Sequence, residues 1–177
     1  MIVLVLGGAR SGKSAAAERL AAELAGGEAV TVLATAAVTD PDMAARVAAH
    51  RARRPASWTT TETGADLVPA LEATGGTVLV DALGTWLAGL PGLAPPADEL
   101  CAALVGRGGD TVVVSEEVGL GVHPSSDAGR RFRDALGALN QAVAAVADEV
   151  VLVVAGRALR LCDAGDLGLA GARGVSG

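Results

Sequence analysis

The segment GGARSGKS, which directly follows the apolar run IVLVL, is the clearest indication of a chemical function in this sequence. Its spacing, Gly-x-x-x-x-Gly-Lys-Ser, matches the template of a phosphate-binding loop between a buried strand and a helix. In such a loop the glycines let backbone N–H groups point at phosphate oxygens, and the helix N-terminus adds its dipole. We name this segment the phosphate loop and predict that it binds a nucleotide; its residues are Gly7, Gly8, Ala9, Arg10, Ser11, Gly12, Lys13 and Ser14.

The lysine of the phosphate loop is singular in this chain. Of the 14 basic residues, Lys13 is the only lysine and the others are all arginine. A compact ammonium on a flexible stem differs physically from the planar guanidinium fork, and a phosphate cradle can require the former. We therefore predict that Lys13 reaches the β- and γ-phosphates and acts in catalysis, while the Ser14 hydroxyl binds Mg²⁺.

Carboxylates close two other apolar runs. Asp81 ends TVLVD, and a magnesium ligand is expected at the C-terminal end of a neighbouring strand. Asp81 is accordingly predicted to bind Mg²⁺. Glu116 and Glu117 follow VVVS and face the same edge, where each is either a base, a ligand of a metal-bound water or part of a solvated pair.

The segment DPDMAARVAAHRARRPASW carries one of the two histidines. Helical spacing predicts an amphipathic helix over residues 41–53 with Asp40 as its N-cap, and its basic end would favour the helix dipole. Alternatively, neutral His50 attacks phosphorus and carries a nucleotidyl group, while the neighbouring arginines neutralise phosphate charge. His123 lies in the loop GLGVHPSS without basic neighbours there, and we expect a surface position for it.

The elements that must position these residues follow an alternating pattern. Short apolar runs predict buried parallel strands: IVLVL, AVTVLA, TVLVD, TVVVS and EVVLVVA. Helices are predicted between them, among others at Lys13–Ala25 and Arg130–Ala147. We expect an α/β fold of the phosphate-loop NTPase type, with a layered, mostly parallel central sheet and an antiparallel edge hairpin that turns near Gly156.

Length and composition limit the classes of protein. The 177 residues, 51% of them hydrophobic, suit one catalytic domain, which we assign to residues 1–162; the Gly-rich residues 163–177 are predicted to be a flexible tail. A net charge of −6 and an aromatic content of one Phe and two Trp argue against a nucleic-acid-binding protein. The starting run is too short to span a membrane, and the two cysteines form no framework, so a cytoplasmic protein is expected.

Several segments together resemble a known family. Besides the phosphate loop, the segments LAT, DMAARVAAHRARRPASW, VDALGTWL, EVGLGVHP, RRFRDALGALNQ and ADEVVLVVAG occur in the order found in the bifunctional adenosylcobinamide kinase / adenosylcobinamide-phosphate guanylyltransferases. The resemblance extends over residues 1 to 161, and the combination is far more specific than the phosphate loop alone.

The resemblance implies a two-step enzyme of cobalamin nucleotide-loop assembly. It would phosphorylate adenosylcobinamide with ATP or GTP, and would then transfer GMP from GTP to the product, releasing pyrophosphate, through a GMP-histidine intermediate on His50. It also implies a homo-oligomer, typically a trimer. Mg²⁺ would accompany the nucleotides. Beyond the phosphate loop and Asp81, the residues implied to contact guanine nucleotide are Thr35, Ala36, Ala37, Arg51, Ala52, Arg53, Arg54 and Glu62.

The chain departs from the family pattern at two positions. Glu116 stands where the family usually has Asn, and Ser125 stands where an acidic residue is common. Two other functions remain open: a phosphate-loop kinase of another small metabolite without guanylyl transfer, and a nucleotide-gated switch. The sequence contains no Asn-Lys-x-Asp segment, with which regulatory GTPases recognise guanine, and this argues against the switch.

Overall fold

A mostly parallel sheet forms the centre of the molecule. The computed structural model describes residues 1–36 and 54–166. In this part of the chain seven strands pair in the order β3-β2-β4-β5-β1-β6-β7, and only β7 runs antiparallel to its neighbour. The strands are β1 (Ile2–Gly7), β2 (Val30–Ala34), β3 (Thr59–Glu62), β4 (Thr77–Asp81), β5 (Thr111–Glu116), β6 (Glu149–Val154) and β7 (Arg157–Leu161).

Helices cover both faces of this sheet. They are α1 (Lys13–Ala25), α2 (Leu67–Ala73), α3 (Leu83–Gly89), α4 (Ala97–Gly106) and α5 (Asp127–Val146), with short 3₁₀ turns at Pro91–Leu93 and Ala164–Asp166. The mostly parallel sheet with helices on both faces confirms the predicted α/β fold. Within residues 1–36 and 54–166, no helix is both long enough and apolar enough to cross a bilayer.

Successive strand residues point to opposite faces, so the sheet separates two apolar clusters. On one face Leu4 and Val80 pack with the helices α2 to α5, where Trp86 is 1% exposed and donates from Nε1 to the Ala65 carbonyl. On the other face the strands pack against α1, which presents alanines. Because alanine side chains are small, α1 can lie close to β1 and position the phosphate loop between them.

The predicted elements agree with the structure at most positions. All five apolar runs form strands, and α1 has the predicted bounds, ending at Gly26 in the left-handed conformation. The hairpin turns at Ala155 and Gly156, whose φ values of 50° and 73° are those of a two-residue type I′ turn. The helix predicted over residues 41–53, with its Asp40 cap, lies outside the described residues, as do residues 167–177 of the predicted tail.

Two elements differ from the prediction. The helix expected to start at Arg130 begins at Asp127, because the Ser126 side chain accepts the Gly129 N–H and caps it one turn earlier. Strand β3, with the sequence TTTE, was not predicted at all. It is an exposed edge strand without apolar residues, and it forms through parallel pairing with β2, aided by a hydrogen bond between Thr31 and Thr59.

Arg107 connects the elements at the end of the sheet opposite the phosphate loop. Its guanidinium donates hydrogen bonds to the carbonyl oxygens of Leu71, Thr74, Gly76 and Asp110 and to the hydroxyl of Thr111. Burial lowers the pKa of this guanidinium, and the Asp110 charge opposes that effect. The planar fork thus satisfies carbonyl groups from α2, from the segment before β4 and from the segment before β5.

We expect Arg107→Lys to lower the free energy of unfolding by about 2–3 kcal/mol, because a single ammonium cannot replace a fork of five N–H donors. Urea unfolding followed by circular dichroism measures the change. Arg131→Lys, at an exposed position of α5, is the matched control and should change stability by less than about 0.5 kcal/mol. Equal losses in the two variants would contradict this account of Arg107.

Candidate active site

The phosphate loop lies between β1 and α1, as its sequence predicts. Gly7 ends β1 and Lys13 begins α1. Arg10 and Gly12 adopt positive φ values of 56° and 94°, so the chain turns sharply before the helix. Alternation of such conformations produces a concave row of backbone N–H groups that suits an anion. The loop therefore has the backbone form that a phosphate site requires.

The hairpin between β6 and β7 holds the phosphate loop from one side. The Gly156 N–H donates to the Ser11 carbonyl at 2.8 Å. A Cβ on Gly12 would lie 3.3 Å from Gly156 Cα, and a Cβ on Gly7 would lie 2.7 Å from the Val153 carbonyl oxygen. This contact was not predicted from the sequence. The sequence did indicate a turn at Gly156, but the partner of this glycine, Ser11, lies 145 positions earlier in the chain.

The Lys13 side chain points along the loop. Its Nζ donates to the Gly8 carbonyl at 3.3 Å and lies 3.6 Å from Glu116 Oε1. The side chain is only 12% exposed. The ammonium is thus held at the carboxyl edge of the sheet, which we define as the edge at which β1, β2, β4 and β5 end.

Asp81 and Arg54 meet at the same edge. Arg54 donates from its terminal nitrogen to Asp81 Oδ2 at 2.8 Å and from Nε to Glu18 Oε1 at 3.1 Å. Its side chain is 6% exposed, so this cation is paired and nearly buried. The predicted magnesium ligand and a predicted nucleotide contact therefore touch each other, and Glu18 of α1 joins them. Glu18 was not predicted to be a residue of the site.

Thr35 connects the ends of β2 and β4. Its buried hydroxyl donates to the Ala82 carbonyl at 2.7 Å and accepts the Ala82 N–H at 3.1 Å, while its own N–H donates to the Asp81 carbonyl. Ala36, next along the chain, is half-buried. Thr35 therefore fixes the backbone beside Asp81, and its contact with a nucleotide stays a prediction.

Glu62 lies on the far side of the site. It ends β3, pairs in register with Ala34 of β2 and is exposed. With three strands between β3 and β1, and strands about 4.8 Å apart, it is about 19 Å from the phosphate loop strand. Glu62 is therefore remote from the phosphate loop, and its contact with a nucleotide stays a prediction.

The two glutamates at the end of β5, Glu116 and Glu117, have different roles. Glu117 accepts the N–H groups of Gly119 and Leu120, each at 2.9 Å, so its carboxylate orders the following loop. Glu116 instead faces Lys13. Asn140 of α5 holds this strand end, since it donates from Nδ2 to the Glu116 carbonyl and accepts from the Ser115 hydroxyl.

The two histidines differ in what the structure describes. His50 lies outside the described residues, as do Ala37, Arg51, Ala52 and Arg53. His123 is exposed in its loop, which confirms the predicted surface position. The expectation that it lacks a basic neighbour is wrong, because Arg133 of α5 approaches His123 Nδ1 to 2.8 Å. Arg133 lies outside the loop GLGVHPSS, so the sequence of the loop itself did not indicate this contact.

The predicted magnesium ligands fit a nucleotide-bound ion. Mg²⁺ in nucleotide enzymes keeps several waters and takes one or two protein oxygens besides the phosphates. Ser14, in the first turn of α1, and Asp81, at the end of β4, offer a hydroxyl and a carboxylate. Among the residues that the structure describes, no group of three His, Cys, Asp or Glu side chains forms a metal cluster. The donor set suits an ion that arrives with its nucleotide.

Comparison with known proteins agrees with this geometry. A solved structure described as a prototypical ATPase from the type III secretion system of pathogenic bacteria superposes with a TM-score of 0.52 and 12% identity, over 85% of this chain and 50% of that one. This likeness supports the phosphate-loop ATPase fold alone. A family model described as cobinamide kinase / cobinamide phosphate guanyltransferase matches residues 3–161. The chain belongs to this family.

Curated members of the cobinamide kinase / cobinamide phosphate guanyltransferase family are similar over most of the chain. The bifunctional adenosylcobalamin biosynthesis protein CobP of Pseudomonas aeruginosa is 44% identical, over 86% of this chain and 92% of the relative. The corresponding CobU proteins of Salmonella typhimurium and Escherichia coli are 37% and 34% identical, over 91% of this chain and 99% of each relative. The family resemblance inferred from the sequence is thus confirmed.

Gly7→Ala tests the close approach at the start of the phosphate loop. The added Cβ would lie 2.5 Å from Ser11 Oγ and 2.7 Å from the Val153 carbonyl oxygen. We expect a loss of about 1–3 kcal/mol in the free energy of unfolding, and a fall of at least about tenfold in ATP affinity, equal to about 1.4 kcal/mol.

Gly8→Ala is the matched control for stability, because nothing lies within 4 Å of its added Cβ. Urea unfolding measures stability in both variants, and isothermal titration calorimetry measures ATP affinity for Gly7→Ala. Unchanged stability in Gly7→Ala would show that the contact with the β6–β7 hairpin does not constrain the loop.

Proposed function

We propose that this protein is a bifunctional enzyme of cobalamin nucleotide-loop assembly. It phosphorylates adenosylcobinamide with ATP or GTP, and then transfers GMP from GTP to adenosylcobinamide phosphate, yielding adenosylcobinamide-GDP and pyrophosphate. The observation that carries the proposal is a phosphate loop of the correct form in a chain whose residues 3–161 match the family model. The names of the relatives, bifunctional adenosylcobalamin biosynthesis proteins, support the two activities.

In the first step the phosphate loop positions the triphosphate. Backbone N–H groups of the loop bind the phosphates, and Lys13 leaves its contact with the Gly8 carbonyl to bind the β- and γ-phosphates. Ser14 and Asp81 would hold Mg²⁺, which would neutralise phosphate charge. Because phosphoryl transfer depends mainly on positioning and electrostatic stabilisation, these contacts account for most of the catalysis.

In the second step His50 acts as the nucleophile toward the α-phosphate of GTP. A neutral imidazole is available near neutral pH and forms a phosphoramidate that then transfers GMP. Arg51 and Arg53 stabilise the charge on the reacting phosphates. The assignment of His50 and of these arginines is supported by the family resemblance and by the chemistry of the residue types.

The described residues on either side of this segment support the same site. Thr35, just before it, hydrogen-bonds to Ala82, and Arg54, just after it, pairs with Asp81. The described residues that flank the segment with His50 therefore lie at the carboxyl edge of the sheet, where the phosphate loop also lies. The remaining proposed nucleotide contacts are Thr35, Ala36, Ala37, Ala52, Arg54 and Glu62.

The proposal also covers assembly and location. The family resemblance supports a homo-oligomer, with a trimer as the specific form. Both cysteines of the chain are free, Cys101 half-buried and Cys162 exposed, which suits the reducing cytoplasm.

His50→Ala tests the guanylyl transfer step. The protein is incubated with GTP labelled at the α-phosphate and then treated with acid or alkali. We expect an acid-labile, alkali-stable label on the wild type, as a phosphoramidate requires, and none on His50→Ala. His123→Ala, which changes the only other histidine, is the control and should keep the label. Label retained on His50→Ala would remove His50 as nucleophile, and no label on the wild type would favour a kinase without guanylyl transfer.

Lys13→Arg tests the requirement for an ammonium in the phosphate loop. The guanidinium keeps the charge but cannot take the same position beside the Gly8 carbonyl. We expect the rate of adenosylcobinamide phosphorylation to fall by about 10²–10³-fold, the size seen when one charge-stabilising donor is lost. Circular dichroism verifies that the variant folds. A rate within about threefold of the wild type would contradict the role of Lys13.

A further inference from the structure

The loop that joins β5 to α5, residues 117–126, carries exposed apolar side chains. Leu120 is 82% exposed and Val122 is 96% exposed, which makes them the two most exposed large apolar side chains in the part of the chain that the structure describes. Single exposed apolar residues are ordinary on protein surfaces, but two of them separated by one glycine form a local apolar surface. We name Leu120, Gly121 and Val122 the apolar tip of the β5–α5 loop.

The apolar tip is exposed although the loop that carries it is fixed at both ends. The two carboxylate oxygens of Glu117 accept the N–H groups of Gly119 and Leu120, each at 2.9 Å. Near the other end, Arg130 of α5 donates to two successive carbonyl oxygens of the loop. Val118 packs against the apolar cluster beside α2 to α5. The β5–α5 loop therefore buries one apolar residue and presents the next two to solvent.

The apolar tip lies close to the phosphate loop. The Glu117 N–H donates to the Gly7 carbonyl at 3.2 Å, so the β5–α5 loop starts in contact with the phosphate loop. Leu120 follows three residues later, and three residues span at most about 11 Å. The apolar tip therefore begins within about 11 Å of a residue that is hydrogen-bonded to the phosphate loop.

The orientation of Lys13 favours this side of the phosphate loop. Its Nζ lies 3.6 Å from Glu116 Oε1, at the end of β5, and so it is directed toward β5 and away from the β6–β7 hairpin. Since Lys13 is predicted to bind the β- and γ-phosphates, we expect the terminal phosphate on the side of the β5–α5 loop. The hairpin also carries exposed apolar residues, among them Val154 and Leu159, but it lies on the other side of β1.

We propose that the apolar tip is the docking surface for the corrin ring of the acceptor substrate. The inference rests on the proposed function, because it concerns how that acceptor binds. Adenosylcobinamide combines a broad, largely apolar macrocycle, bordered by amide groups, with a hydroxyl on a short aminopropanol chain. For phosphoryl transfer the hydroxyl oxygen has to come within about 3–3.5 Å of the γ-phosphorus. The short chain then holds the ring beside the β5–α5 loop.

A broad apolar ligand fits the surface that the apolar tip presents. Nothing lies within 4 Å of the place that a Cβ on Gly121 would occupy, so the ring can approach the backbone between Leu120 and Val122. Covering these two side chains removes apolar area from water, which favours binding. Because Glu117 already fixes the start of the loop, little further ordering is required when the ligand binds.

A double variant, Leu120→Ser with Val122→Ser, tests the docking surface. We expect KM for adenosylcobinamide in the kinase reaction to rise about tenfold or more, equal to about 1.4 kcal/mol, because the apolar contact is lost. Equilibrium dialysis, with the visible absorbance of the corrinoid as readout, should show the same loss of affinity. KM for ATP and the covalent label from GTP labelled at the α-phosphate should stay within about threefold of the wild type, since neither involves the corrin ring.

Two further variants are the controls. Val105→Ser changes an apolar side chain that is 61% exposed in α4, at the opposite end of the sheet, and should leave both KM values unchanged. Leu120→Met with Val122→Ile keeps the surface apolar and should retain the wild-type KM for adenosylcobinamide. Urea unfolding verifies that each variant is folded, and light scattering after size-exclusion chromatography gives its mass.

The wild-type enzyme tests the proposed function separately. If it phosphorylates adenosylcobinamide while the double variant keeps KM and affinity within about threefold, the docking surface is overturned and the proposed function stands. If the wild type neither binds nor phosphorylates adenosylcobinamide, both are overturned. A lower mass of the double variant would show that the apolar tip contacts another copy of the chain, and an equal loss in Val105→Ser would show a general surface effect. Either result overturns the docking surface.

Discussion

The parallel pairing of β1 with β5 on one side and β6 on the other determines the rest of the site. Because the register matches Gly7 with Glu116 and with Val153, the phosphate loop emerges between a strand end that carries a carboxylate and a strand end that leads into the hairpin. Backbone hydrogen bonds then join the loop to both neighbours, from the Glu117 N–H to Gly7 and from the Gly156 N–H to Ser11. The conformation of the phosphate loop thus depends on contacts with three strands. The sequence of the loop itself contributes the glycines and Lys13.

Local sequence was sufficient for the features that depend on local chemistry. The phosphate loop, the bounds of α1 and a hairpin turn near Gly156 follow from residue types at fixed spacing, and all were predicted. The family was also recognisable, since its segments occur in order along the chain. Strand β3 was missed because its polar sequence becomes a strand only by pairing with β2, and the start of α5 was missed because the capping side chain of Ser126 had been assigned to a loop.

The side-chain contacts of the candidate active site could not be predicted from the sequence, for a different reason. The pairing of Arg54 with Asp81 and Glu18 joins residues 27 and 36 positions apart in the chain, and Arg133 approaches His123 from outside the loop that carries the histidine. A single sequence offers no measure of which distant side chains meet. The position of Glu116 Oε2, which has no hydrogen-bond partner among the described residues, is still less predictable, because Gly84 of α3 provides its space. In a chain with a net charge of −6, Lys13 and Arg54 each lie beside a carboxylate, so the cations of the site are oriented before any polyphosphate binds.

The contact between Ser11 and Gly156 also bears on synthesis of the protein. During translation the phosphate loop leaves the ribosome early, whereas the strands on both sides of β1 and the hairpin turn follow more than a hundred residues later. Contacts of such long sequence separation form slowly and only after the intervening chain is available. A nascent chain that has exposed β1 but not β5, β6 and the hairpin turn therefore lacks these contacts of the phosphate loop, and affinity for a nucleotide rises as they emerge.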